Sequence, residues 1–167
     1  MYIWQIKKLR QQLAIEGLGE KEAFYYYLGT AIIGALIYEA IANGPPTGAG
    51  AEPATTDYLD GILYVGFTIG GIIWCYLQNG GATGSNFLQR IVPIGWVMSW
   101  RYFALVVIFT FGLAQIRGFL TGEYGRPEVE SVWEVIVMNS LIMWLFWRMG
   151  IHMKWVADNS GAAQPSQ

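Results

Sequence analysis

Polar and apolar positions alternate along this chain on a scale of whole segments. Residues 2–16 place Tyr2, Ile6, Leu9 and Leu13 at helical spacing, with Lys7, Lys8 and Arg10 largely off that stripe. The pattern predicts a basic amphipathic helix lying on the inner surface of a membrane; an ordinary solvated helix docked on the rest of the protein has the same pattern. Gly17 and Gly19 end it. Long apolar runs follow, at residues 24–42 and 58–77, then from 91 to 116 and from 129 to 149. About 20 apolar residues cross the hydrocarbon of a bilayer, so each run predicts a spanning helix. The connections are of a different kind. Residues 43–56 are rich in Gly, Pro, Ala and Thr, residues 79–84 form a glycine-rich turn, and 121–127 read TGEYGRP. The tail, residues 158–167, is small and polar and is expected to be disordered. The fold class read from this pattern is an all-α integral membrane protein. One domain, residues 1–157, is a bundle of four transmembrane helices with an amino-terminal interfacial amphipathic helix.

The third run needs arithmetic. Residues 91–116 carry one charge, Arg101, and as helix they extend about 39 Å, against roughly 30 Å of hydrocarbon. Started at Ile91, the span would put Arg101 near mid-membrane at a cost of at least about 2.5 kcal/mol. Placed at 97–117, it lets Arg101 and Arg117 snorkel to opposite faces, with Trp96, Trp100 and Tyr102 as the inner aromatic belt. The second placement costs less. It leaves residues 86–96 as a half-buried lead-in, bent at Pro93 and Gly95.

Charge then orients the chain. With the amino end in the cytoplasm, Lys7, Lys8, Arg10, Lys21, Arg90, Arg101, Arg148 and Lys154 fall inside, leaving only Arg117 and Arg126 outside. That asymmetry is the positive-inside signature, and it puts both termini in the cytoplasm. Composition agrees: 54% of the 167 residues are apolar and 13% charged, about half the charge of a soluble domain. No basic patch suggests nucleic acid. A single cysteine, Cys75, excludes an intrachain disulfide, and a single histidine, His152, excludes bis-histidine haem ligation from this chain alone. Cys75 reads as packing, and His152, beside Lys154, as a headgroup-level residue.

Against this background the stretch Tyr76-x-x-Asn79-Gly80-Gly81-x-x-Gly84-x-x-Phe87-Leu88-x-Arg90, then Gly95-Trp96-Val97 and Arg101-x-Phe103, resembles the signature of a family of small four-span bacterial inner-membrane proteins with no assigned activity. The entry from Glu20 to Phe24 is also similar. Where that family is expected to carry an acid or lysine in the turn, this chain has Thr83, Ser85 and Asn86. The resemblance implies a fold and a location, the bacterial inner membrane, and no activity.

Few residues suggest chemistry. Gly80, Gly81 and Gly84 can expose backbone N–H groups beside a helix start, with Arg90 and Arg101 nearby. Such a turn can hold a lipid headgroup, though most are plain turns. Glu39 within the first span, Arg117 and Asn139 form a possible intramembrane polar or ion-pair site. Gly66 and Gly70 make a GxxxG pair, which permits close helix packing. No nucleophile–base pair, metal cluster or cofactor-binding motif emerges, so no catalytic, metal or cofactor residue is assigned. The expected role is a non-catalytic subunit or accessory protein of an inner-membrane complex or homo-oligomer, embedded in the lipid bilayer. The alternative is a small transporter or channel subunit using Glu39 and a polar path between helices.

Overall fold

A computed structural model describes residues 2–42, 55–121 and 132–160. All regular structure among them is helical: α1 (Ile6–Ile15), α2 (Glu20–Ala42), α3 (Thr55–Gln78), α4 (Phe87–Thr121) and α5 (Val132–Ser160), with a 3-10 turn at Gly81–Thr83. Three of these helices, over Tyr58–Gln78, Phe87–Gly112 and Val135–Ser160, are long and apolar enough to cross a membrane.

The apolar faces point outward to an extent that water would not tolerate. Ile62, Phe103, Ile108, Phe111 and Met143 are all exposed, Ile108 to 70%, and only 6% of the apolar window of α3 is buried. A continuous apolar belt of this size marks contact with lipid or with other apolar helices. The interior core gathers instead at one end of the molecule. Leu9 and Leu13 of α1, Tyr26 of α2, Cys75 of α3, Ile94, Val97 and Met98 of α4, and Met149, Met153 and Val156 of α5 close it.

Helices α3 and α5 pack along most of their length. Asp60 meets Asn139, Gly71 meets Phe146 and Trp74 meets Gly150, so the two run parallel. Small residues allow the approach: a Cβ on Gly71 would lie 2.2 Å from Phe146 Cγ, and one on Gly150 would lie 2.2 Å from Trp74 Nε1. Helix α4 returns antiparallel, with Arg90 against Ser160 and Gly95 against Met149. The lead-in at 86–96 and the span at 97–117 lie on one helix. Phe87–Thr121 is a single 35-residue element, with Pro93 fully buried inside it. Proline removes one N–H from the ladder, but the packing of Ile94 and Val97 into the core carries the helix past that point.

The apolar stripe of α1 is covered by protein. Ile6, Leu9, Leu13 and Ala14 are buried against α4 and α5, which is the docked alternative for this segment. The chain leaves α1 at Gly17 (φ +71°), whose N–H bonds to Gln12 O. A left-handed residue in that place is the usual way to stop a helix. The start of the tail is also different from expectation: Asp158–Ser160 are the last residues of α5, because Ser160 is held by Arg90. The loop 43–54, residues 122–131 and the remainder of the tail lie outside the described residues.

Candidate functional site

The turn between α3 and α4 is built on two glycines with positive φ, Gly80 (+99°) and Gly81 (+57°), and on Asn86 (+56°), a residue type that tolerates that region. Gly84 is required for another reason: a Cβ there would lie 2.1 Å from Asn79 O. Folding the turn this tightly puts Asn79 inside, 1% exposed. Its Nδ2 donates to Ser85 O at 3.1 Å. Arg90 Nη1 donates to Asn79 Oδ1 at 2.9 Å, and Arg90 Nη2 to Ser160 Oγ at 2.9 Å. Arg90, 5% exposed, is thus a clamp joining the end of α3, the start of α4 and the end of α5. Its side chain lies in the interior of the turn and not at the inner surface, which fits a plain structural turn.

Arg101 belongs to a different site. It lies 11 residues further along α4, about 16 Å away in helix rise. Its Nη2 donates to Trp4 O at 2.6 Å, and its guanidinium sits 5.6 Å from the Trp4 ring centroid. Sequence position alone gives no hint that residues 2–15 fold back here. From α1, which begins just after Trp4, Arg10 stacks on Trp155 at 4.3 Å. His152, 5% exposed, follows Arg148 by one turn of α5, and the charges of Arg10 and Arg101 also bear on its ring. Neither nitrogen of His152 has a hydrogen-bond partner, nor do Arg10 Nε, Arg101 Nε, Trp96 Nε1 and Trp100 Nε1, although all six atoms are buried. Trp96 and Trp100 themselves meet edge to face at 5.7 Å. The sequence reading treated these residues as separate interface anchors. The signal it passed over is the i, i+4 spacing of Arg148 and His152, which puts both on one face of a helix.

Asn139 is also redefined by its partner. Its Nδ2 donates to Asp60 Oδ1 at 2.6 Å and to Val135 O at 2.9 Å, and its Oδ1 is buried without a partner. Tyr102 and Tyr64 stand near the same aspartate. Asn139 is the eighth residue of α5, so it lies toward the start of that helix and not at its middle. The side chains of Glu39 and Arg117, expected to share its site, lie outside the described residues. Among those described, no group of three or more His, Cys, Asp or Glu side chains gathers.

The GxxxG pair on α3 divides its neighbours. Gly71, one position on, is filled by Phe146, whereas Gly66 and Gly70 have open space where a Cβ would stand. They line an apolar groove whose walls are Phe67, Trp74, Met143, Phe146 and Trp147. Comparison with family models, with curated proteins and with solved structures yields no match to this chain.

Proposed function

We propose that this protein is a non-catalytic, multi-pass subunit or accessory protein of the bacterial inner membrane, which associates with another transmembrane helix through the open glycine face of α3. The observation that carries the reading is the contrast between Gly71, occupied from within the molecule, and Gly66 and Gly70, left open at the floor of an apolar groove. Glycine in a spanning helix lets backbones approach closely, and a pair four residues apart makes a continuous shallow face. In this reading α2 is the fourth span, both termini are cytoplasmic, and α1 sits at the inner interface. The positive-inside distribution of Lys and Arg supports the orientation. The resemblance of the Tyr76–Phe103 stretch supports the location and lends no activity.

The test is association in bilayers. Gly66→Leu with Gly70→Leu should lower self- or partner-association in nanodiscs by tenfold or more, measured by single-molecule photobleaching and by pull-down from native membranes. Thermal stability of the monomer should stay within error of the parent. Unchanged association would sink the reading.

A further inference from the structure

The cluster around His152 consists almost wholly of hydrogen-bond donors and cations. Arg148 precedes His152 by one helical turn on α5, the charges of Arg10 and Arg101 bear on the same imidazole, and the Nε–H groups of Arg10 and Arg101 are buried with nothing to accept from them. The three stretches that supply these side chains, residues 2–15, 94–104 and 145–157, contain no aspartate or glutamate. Buried donors without acceptors cost about 1–3 kcal/mol each, and like charges brought together cost more. Two buried guanidinium Nε–H groups and a buried imidazole with no partner at either nitrogen are satisfied together when an acceptor-rich anion joins them.

The surroundings say what kind of anion. Trp4 stacks near Arg101 and Trp155 on Arg10, and tryptophan concentrates at the headgroup level of membranes. Helix α4 runs on from Arg101 into the exposed apolar face at Phe103, Ile108 and Phe111, where acyl chains would lie. We propose that Arg10, Arg101, Arg148 and His152 form a binding site for the phosphate of an anionic phospholipid at the inner face of the membrane. Guanidinium groups pair with phosphate through parallel charge-assisted hydrogen bonds, and the imidazole supplies one more. Because α1 contributes Arg10 and is held to Arg101 through Trp4, the lipid also fastens α1 to α4 and α5. The site rests on the membrane placement proposed above and is independent of the glycine face.

Native mass spectrometry of the full chain tests it, in detergent micelles carrying equal amounts of phosphatidylglycerol and phosphatidylcholine. The parent should retain phosphatidylglycerol at least tenfold over phosphatidylcholine. Arg101→Gln with Arg148→Gln should bring the ratio close to one, and so, in part, should Arg148→Gln alone, a change that breaks no hydrogen bond of Arg101. Lys7→Gln with Lys8→Gln, at exposed positions off the cluster, should leave it unchanged. Equal retention of the two lipids by the parent, with no binding of inorganic phosphate by calorimetry, overturns the proposal. So does a preference that survives the arginine substitutions. Phosphate binding that is lost in Arg148→Gln, without lipid preference, keeps the site and assigns it to a soluble phosphate. Retention of phosphatidylcholine alone reports that the chain takes up lipid, so failure of the site is distinguishable from failure of the membrane reading.

Discussion

Arg90 donates from Nη1 to Asn79 Oδ1 at 2.9 Å across the turn between α3 and α4, and both side chains are at least nine-tenths buried. A hydrogen bond to a charged group contributes about 1.5–3 kcal/mol, and its loss leaves the buried partner unsatisfied. Arg90→Leu should therefore lower the stability of the folded chain by about 2–4 kcal/mol. Ser160→Ala, which removes only the second acceptor at Nη2, should cost about 0.5–1.5 kcal/mol. Reversible unfolding in mixed micelles would measure both. Equal effects would mean that Arg90 is held chiefly from α5.

Two glycines outside the left-handed region, one crowded and one open, should isolate the effect of space. Gly84 has an ordinary backbone but no room, since Asn79 O lies 2.1 Å from where its Cβ would be. Gly19 has room on every side. Gly84→Ala must displace backbone and is expected to destabilise by about 1–3 kcal/mol. Gly19→Ala should change stability by less than about 0.5 kcal/mol. Thermal unfolding followed by circular dichroism reads the difference. Comparable midpoints for the two variants would show that the turn relaxes.

Much of this architecture was legible in the sequence, and the parts that were not share a cause. Runs of apolar residues locate α3, α4 and α5 because a bilayer demands about 20 such residues in a row. The stripe Ile6–Leu9–Leu13 likewise locates α1. Where α1 docks depends on contacts between residues far apart in sequence, such as Trp4 with Arg101, 97 positions on, and no periodicity encodes them. Arg90 was misplaced because its charge suggests the surface, whereas Asn79 and Ser160 supply oxygens that permit burial. The apolar run 129–149 has Asn139 at its centre. The helix continues to Ser160, which shifts Asn139 toward one end. Arg148 beside His152 is legible from their i, i+4 spacing, whereas Arg10 and Arg101 bear on that ring only through the tertiary fold.

Trp4 makes a single strong link between the amino-terminal segment and α4, stacking near the Arg101 guanidinium while its carbonyl accepts from Nη2. Cation–π contacts of this kind contribute about 0.5–2 kcal/mol. Trp4→Ala keeps the carbonyl and removes the ring, so α1 should open more often without leaving its core contacts at Leu9 and Leu13. Hydrogen exchange at residues 6–15 is expected to quicken by about threefold to thirtyfold, following from that energy range. Exchange in α3 should be unaffected. Faster exchange in both would show that α1 and the α3–α5 pair open as one unit.

Asp60, in the second turn of α3, and Asn139, in the third turn of α5, meet at 2.6 Å, and in sequence they stand among apolar residues: Leu59 and Ile62 on one helix, Ile136 and Ile142 on the other. Side-chain hydrogen bonds between spanning helices average about 0.6 kcal/mol and reach about 1.7. Here the acceptor is a carboxylate and the amide is 2% exposed, so the upper part of that range applies. A double-mutant cycle with Asp60→Leu and Asn139→Leu should give a coupling of about 1–2 kcal/mol. The double variant should be more stable than Asp60→Leu alone, because that single change strands a buried amide whose Oδ1 already lacks a partner. Unfolding in micelles measures all four corners of the cycle. A coupling near zero would mean that lipid headgroups or water, and not Asp60, satisfy Asn139 in the membrane.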